Sequence, residues 1–216
     1  MTANVPGPRT ERGNRTRTKL LDAAEKVFAE LGYHDASIVK LTDAAGVAQG
    51  TFYLYFKGKQ EIFDELVEDL NRRVRHAMSE ASAQGHDRIE SERLGFQAFF
   101  RFTAEHPALY RIIRQAEFVS PKALRMHYTR IVEGYIAGLD KAKSNGEITD
   151  LDTSVAAWAL MGIGELVGMR WVLWNEANSD SDVKPMLPEP VFDEVMALIQ
   201  RALGARASGS DTSESG

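Results

Sequence analysis

AAGVAQGTFYLYFKGK, residues 44–59, decides how this chain is read. Two alanines and Gly46 mark a tight turn at the end of one helix, and the short segment after it is crowded with polar, aromatic and basic side chains. A helix, a glycine turn and a second short helix in that order form the pattern of a helix-turn-helix. In that pattern the second helix enters a DNA major groove.

Working outward toward the N-terminus, Leu20, Leu21, Ala24, Val27, Phe28 and Leu31 recur at helical spacing, and Gly32 is a natural stop. Ser37 is placed to cap a second short helix, with Ile38, Leu41 and Ala44 or Ala45 inward, and Val47 packs back after the turn. The helix beyond the turn is expected from about Gln49 to Phe56. Lys59 then opens a longer one with Ile62, Phe63, Leu66, Val67, Leu70 and Val74 on its buried side. That helix is expected to act as a rigid lever ending in the polar residues 82–87.

Further helices are expected over residues 92–105, broken by His106-Pro107, then over 108–118, and from Pro121 to about Ser144, ended by Asn145-Gly146. Another runs from about Asp152 to Asn178, and the last over 191–203 after a proline-containing loop. No strand-like alternation and no internal repeat is visible. The expected fold is all-α. A flexible basic arm (residues 1–14) precedes a three-helix helix-turn-helix domain (15–61), an antiparallel helical ligand-binding and dimerisation domain (62–204) and a disordered tail (205–216).

Composition narrows the function classes. At 216 residues and 44% hydrophobic content the chain can build a substantial core. No run of about 18 uninterrupted apolar residues or signal-like start is present, so a soluble cytoplasmic protein without a membrane partner is expected. With no cysteine there are no disulfides, zinc–thiolate sites or thiol catalysis. The net charge is -5, but residues 9–59 hold nine Lys or Arg against six Asp or Glu, a surplus of three, which leaves -8 for the remainder. A positive end on a negative body orients a molecule toward a phosphate backbone.

On the short helix, Gln49 is placed to reach a base edge, where its amide can bridge adenine N6 and N7. Gly50 permits close backbone approach, and Thr51 can meet a phosphate or a thymine methyl. Phe52 and Phe56, four apart, are core anchors. Tyr53 and Tyr55 leave that face, with hydroxyls available for phosphates. Lys59, Arg15, Arg17, Lys19 and Lys40 flank the same groove as backbone clamps.

At this point the chain resembles the TetR family of bacterial transcriptional regulators. The resemblance covers about residues 16–66 and rests on LLDAAEKVFAELGY (20–33), AAGVAQG (44–50) and TFYLYFKGKQEIF (51–63) in the right order and spacing. It implies that Tyr53 and Lys59 touch phosphate, and that the protein is a homodimer on a palindromic double-stranded DNA operator, switched by a small effector and usually repressing. There are departures from the family pattern. Gly58 stands where a small polar helix cap is usual, Leu41-Thr42 replaces Ile-Ala, and Leu54 is apolar where a polar or aromatic contact is common.

Beyond that region the last two long helices are the expected dimer surface, with Ala156, Ala157, Gly162, Gly164 and Gly168 permitting close approach. An apolar or amphipathic effector is expected among Phe96, Phe99, Phe100, Tyr110, Phe118, Tyr128, Tyr135, Trp158 and Trp171. Arg114, Glu165 and Arg170 supply polar contacts there. No cofactor, metal site or catalytic residue is expected, because the five histidines form neither metal spacing nor a nucleophilic constellation. A non-catalytic helical adaptor is the main alternative, and a small-molecule enzyme a weaker one.

Overall fold

The computed structural model describes residues 11–174 and 186–205. The described elements are α-helical with no strand: α1 (Glu11–Asp35), α2 (Ile38–Ala45), α3 (Gln49–Phe52), α4 (Lys59–Ser82), α5 (Arg88–Glu105), α6 (Ala108–Val119), α7 (Pro121–Ser144), α8 (Thr153–Gly168) and α9 (Glu189–Leu203). A single π-helical turn, Met169–Leu173, follows α8. The expected arm over residues 1–10 and the tail over 206–216 lie outside the described residues, as does the chain from 175 to 185. Glu11 to Asn14, expected in the arm, belong to α1.

Contacts group the chain into two units: residues 1–73 with 106–128, and residues 74–105 with 129–216. Both α4 and α7 contribute to each unit. The first unit is built on Leu20, Ala24, Phe28, Leu41, Phe52, Phe56, Ile62, Phe63, Leu66 and Ile112, all of which exclude water. Phe28 meets Phe63 edge to face and stacks on Tyr33, so the aromatic anchors of α1 and α4 share one centre.

The stop expected at Gly32 is a kink inside α1, where Gly32 takes φ 78°. Backbone groups freed there are satisfied by Gln115 of α6. Its amide oxygen accepts from Tyr33 N at 2.6 Å and its amide nitrogen donates to Phe28 O at 3.2 Å. In the same unit Arg73 of α4 joins Glu25 of α1 at 3.1 Å and also lies 3.1 Å from the His106 ring.

The second unit packs Phe96, Phe100, Leu139, Leu160, Val172, Phe192, Met196 and Ile199 into one core. Helix α5 begins at Arg88, four residues earlier than its apolar spacing indicates. Asp87 and Glu90 account for the difference by capping reciprocally: Asp87 Oδ1 accepts from Glu90 N at 2.8 Å, and Glu90 Oε2 accepts from His86 N at 2.7 Å. Asp152 caps α8 in a similar way, accepting from Ser154 N and Val155 N.

Candidate nucleic-acid interface

Helix α2 opens with Ser37, whose hydroxyl accepts from Lys40 N, and closes at Gly46 with φ 66°. That left-handed cap lets Gly46 N and Val47 N donate to Asp43 O and Thr42 O, which turns the chain sharply into α3. Ala48 gives α3 no side-chain cap, and Ala48, Gln49 and Gly50 are all exposed. An uncapped helix start is a ready place for an anionic backbone. A Cβ on Gly50 would meet nothing within 4 Å. Crowding inside the chain therefore does not demand glycine there, whereas a close external approach would.

The α-helix stops at Phe52, shorter than the span expected to Phe56. Beyond it Tyr55 N and Phe56 N both donate to Phe52 O, at 2.9 and 3.0 Å, and this tightened turn returns Phe56 to the core. The Phe52 and Phe56 rings then sit 5.5 Å apart, with exposures of 0% and 1%. Tyr53 stands on the outside at 54% exposure, set edge-on against Phe52, and Leu54 beside it is 74% exposed. Thr51 and Tyr55 are half-buried.

The flanking cations differ in their freedom. Lys19 and Lys40 are exposed, although the Lys40 ammonium donates to Asp35 O at 3.0 Å. Arg15 is exposed in a loose pair with Glu11, worth little in water. Arg17 pairs with Glu65 of α4 and lies over the Phe56 ring, so it also fastens α1 to the rest of the head.

The Lys59 ammonium donates to three carbonyls, Tyr33 O at 2.6 Å, Ala36 O at 2.8 Å and His34 O at 3.3 Å, and lies 4.4 Å from the Tyr33 ring centre. Its three donors thus close the end of α1 onto the start of α4. Gly58 carries no side chain to cap α4, but the Glu61 carboxylate reaches back to accept from Lys57 N.

These elements place an exposed Gln49–Gly50 edge and Tyr53 on a short helix seated by two buried phenylalanines. The comparisons with known proteins agree with that arrangement. A family model described as "Bacterial regulatory proteins, tetR family" matches residues 20–66. The fatty acid metabolism regulator protein of Bacillus subtilis (strain 168) is 32% identical over 168 residues, covering 75% of this chain and 86% of that protein. The chain belongs to the TetR family.

A second relative, the uncharacterized HTH-type transcriptional regulator YvdT of the same organism, is 38% identical over 194 residues, covering 86% of this chain and 94% of that protein. Among solved structures, the transcriptional regulator FadR from Bacillus subtilis in complex with stearoyl-CoA is 25% identical with a TM-score of 0.70. It covers 84% of this chain and 96% of that one. TetR proteins are DNA-binding, ligand-responsive regulators rather than catalysts. Among the described residues no group of His, Asp or Glu is arranged to hold a metal ion.

The residues expected around an effector are dispersed. Phe96 and Phe100 are 1% exposed in the core of the second unit, with Phe99 packed against it. Tyr110 is buried and Tyr128 half-buried in the first unit, where Arg114 is exposed and Phe118 is 83% exposed. Trp158 is exposed on α8, Glu165 is half-buried, and Arg170 lies over Trp171 in the π turn. Of the twelve, Tyr135 lines a cleft in the second unit, a space of about 540 Å³ bordered by α4, α5 and α7. The basic residues Arg75, Arg88, Arg130 and Lys141 around it were not singled out from sequence. They come from three helices far apart along the chain, and each alone resembles an ordinary solvated cation.

Proposed function

We propose that this TetR-family chain is a cytoplasmic homodimeric repressor that reads a palindromic operator through α3 and is released or engaged by a small amphipathic effector. The exposed Gln49–Gly50 edge carries the reading, since nothing inside the chain requires a glycine at Gly50. Gln49 and Thr51 read base edges, while Tyr53, Tyr55, Arg15, Lys19 and Lys40 hold phosphates. An acyl derivative is the favoured effector, because the named function of the 32%-identical relative is fatty acid metabolism regulation. The bound molecule in the FadR structure, stearoyl-CoA, points to the same class. Arg75, Met78, Ser79 and Ser82 of α4 line the basic cleft, and the same helix begins beside α3 at Lys59, so effector binding has a covalent route toward the reading head.

Self-association is supported by the outer stripe of α8. Val155, Trp158 and Leu166 are 66%, 50% and 62% exposed at helical spacing, and Leu198 of α9 is 50% exposed. The stretch Thr153–Leu173 is apolar enough, at mean hydropathy 1.3, to suit a membrane by composition alone. A second copy accounts for the stripe better, because Gly162 lies within it and a Cβ there would meet nothing within 4 Å. Gly164, by contrast, would press a Cβ to 3.2 Å from Phe96 and serves the chain's own core.

Leu166→Glu places a charge on the stripe, at one of its most exposed apolar positions. It is expected to yield a folded monomer by analytical ultracentrifugation and to weaken binding to a palindromic duplex selected from random DNA on the order of a hundredfold, since the second head is lost. A variant that stays dimeric, or a wild-type chain that selects no duplex, would count against this reading.

A further inference from the structure

Leu54 is the most exposed large apolar side chain between residues 11 and 73, at 74%. A lone surface leucine is ordinary and calls for no partner. This one is distinguished by its place. It stands two residues after Phe52 and two before Phe56, and two residues of helical winding swing a side chain through about 200°. With both rings sealed in the core, Leu54 is carried to the opposite side, away from the chain's own interior. The winding that does this outlasts α3: Leu54 N donates to Thr51 O at 3.2 Å, and Phe56 N to Phe52 O at 3.0 Å.

Gly50 lies four residues before Leu54 and therefore on the same side. It is exposed, and a Cβ there would meet nothing within 4 Å. The outward face of the reading segment thus presents bare backbone at Gly50 and then a projecting isobutyl group at Leu54. Neither residue brings a side-chain charge or hydrogen-bonding group to that face, although Gln49 and Tyr53 border it.

Nearly every group that a base pair shows in the major groove is a hydrogen-bond donor or acceptor. An apolar side chain pressed onto one of these strips its water and returns no hydrogen bond, which is unfavourable. The exception is the C5 methyl of thymine. A leucine aimed into the groove therefore favours thymine and disfavours the other three bases.

From this geometry we infer that Leu54 is a second specificity residue, reading the C5 methyl of one thymine in each operator half-site, with Gly50 giving the backbone room to bring it there. This deepens the operator reading proposed above and rests on it. Gln49 and Leu54 then divide the recognition by chemistry: the amide takes polar base edges and the leucine takes the one apolar feature of the groove.

The test uses the full chain and a palindromic duplex that it selects from random DNA. Each thymine is replaced in turn by deoxyuridine, which pairs identically and lacks only the C5 methyl. At one thymine per half-site the wild-type affinity is expected to fall about fourfold, the effect of losing one buried methyl, and about fifteenfold with both half-sites changed. Leu54→Ala, checked for unchanged thermal unfolding, is expected to bind the thymine duplex more weakly and to respond to uracil at that position by less than about twofold. Leu54→Met, which keeps an apolar side chain of similar volume, is expected to retain the uracil effect. Indifference of the wild type to uracil at every position, or an undiminished uracil effect in Leu54→Ala, overturns the inference. So does a Leu54→Ala protein that loses dimerisation but not the uracil effect, which would give the leucine to a second copy. Failure of the wild-type chain to select any duplex would remove the operator reading and this inference with it, whereas a selected duplex insensitive to uracil removes the leucine contact alone.

Discussion

Phe52→Ala is expected to destabilise the protein by about 3–5 kcal/mol, the range for removing a fully buried aromatic ring. The Phe52 side chain is 0% exposed and packs 5.5 Å from the Phe56 ring centre, so no water fills the space it leaves. Its position makes the loss functional as well. Tyr53, edge-on against the Phe52 ring, loses the surface that orients it, and the tightened turn that returns Phe56 to the core loses its partner. Denaturant unfolding is expected to report the lower stability, and operator affinity is expected to fall even where most molecules remain folded. A variant with wild-type stability would mean that α3 is not seated by this ring.

Replacing Lys59 by methionine is expected to cost about 2 kcal/mol of stability, because three charge-assisted hydrogen bonds to carbonyls are lost from a half-buried site. DNA affinity is expected to fall with it, since those carbonyls belong to the junction that leads from α1 toward α2. The salt dependence separates this role from a phosphate clamp. A lysine on phosphate contributes nearly one unit to the slope of log affinity against log salt. With the ammonium engaged inside the chain, the slope is expected to stay unchanged while the midpoint of unfolding drops. Unchanged stability with a shallower slope would place Lys59 on the DNA instead.

These two residues also indicate how much of the structure was legible in the sequence. The first unit was accessible because its signals are local: the apolar spacing from Leu20 to Phe28, the cap at Ser37 and the turn at Gly46 each fix the backbone within a few residues, and Gly32 marks a kink in α1 where a stop was expected. The early start of α5 was also locally encoded, in the Asp87 and Glu90 capping pair, but apolar periodicity alone starts the helix at its first buried turn. Lys59 was ambiguous, because a cation at a helix start can serve DNA or the chain's own carbonyls, and only tertiary geometry brings residues 33–36 to its ammonium.

The effector region was least legible. Phe96 and Phe100 have the same composition and spacing whether they fill a core or border a cavity, and here they fill the core. The basic cleft was hidden for the opposite reason. Arg75, Arg88, Arg130 and Lys141 share no sequence pattern and become a group only when α4, α5 and α7 meet. Gly138 gave no sign either, since its purpose is the space that Arg88 occupies.

Base reading by α3 is tested most directly by titrating wild-type and Gln49→Ala proteins, both confirmed as folded dimers, with a selected palindromic duplex and a scrambled one at physiological salt. Gln49 is exposed and carries no core burden, so its truncation is expected to leave stability unchanged. The ratio of specific to scrambled affinity is expected to fall by about 1–3 kcal/mol per half-site, with scrambled binding nearly unaltered. A wild-type ratio in the Gln49→Ala protein would contradict sequence reading through Gln49.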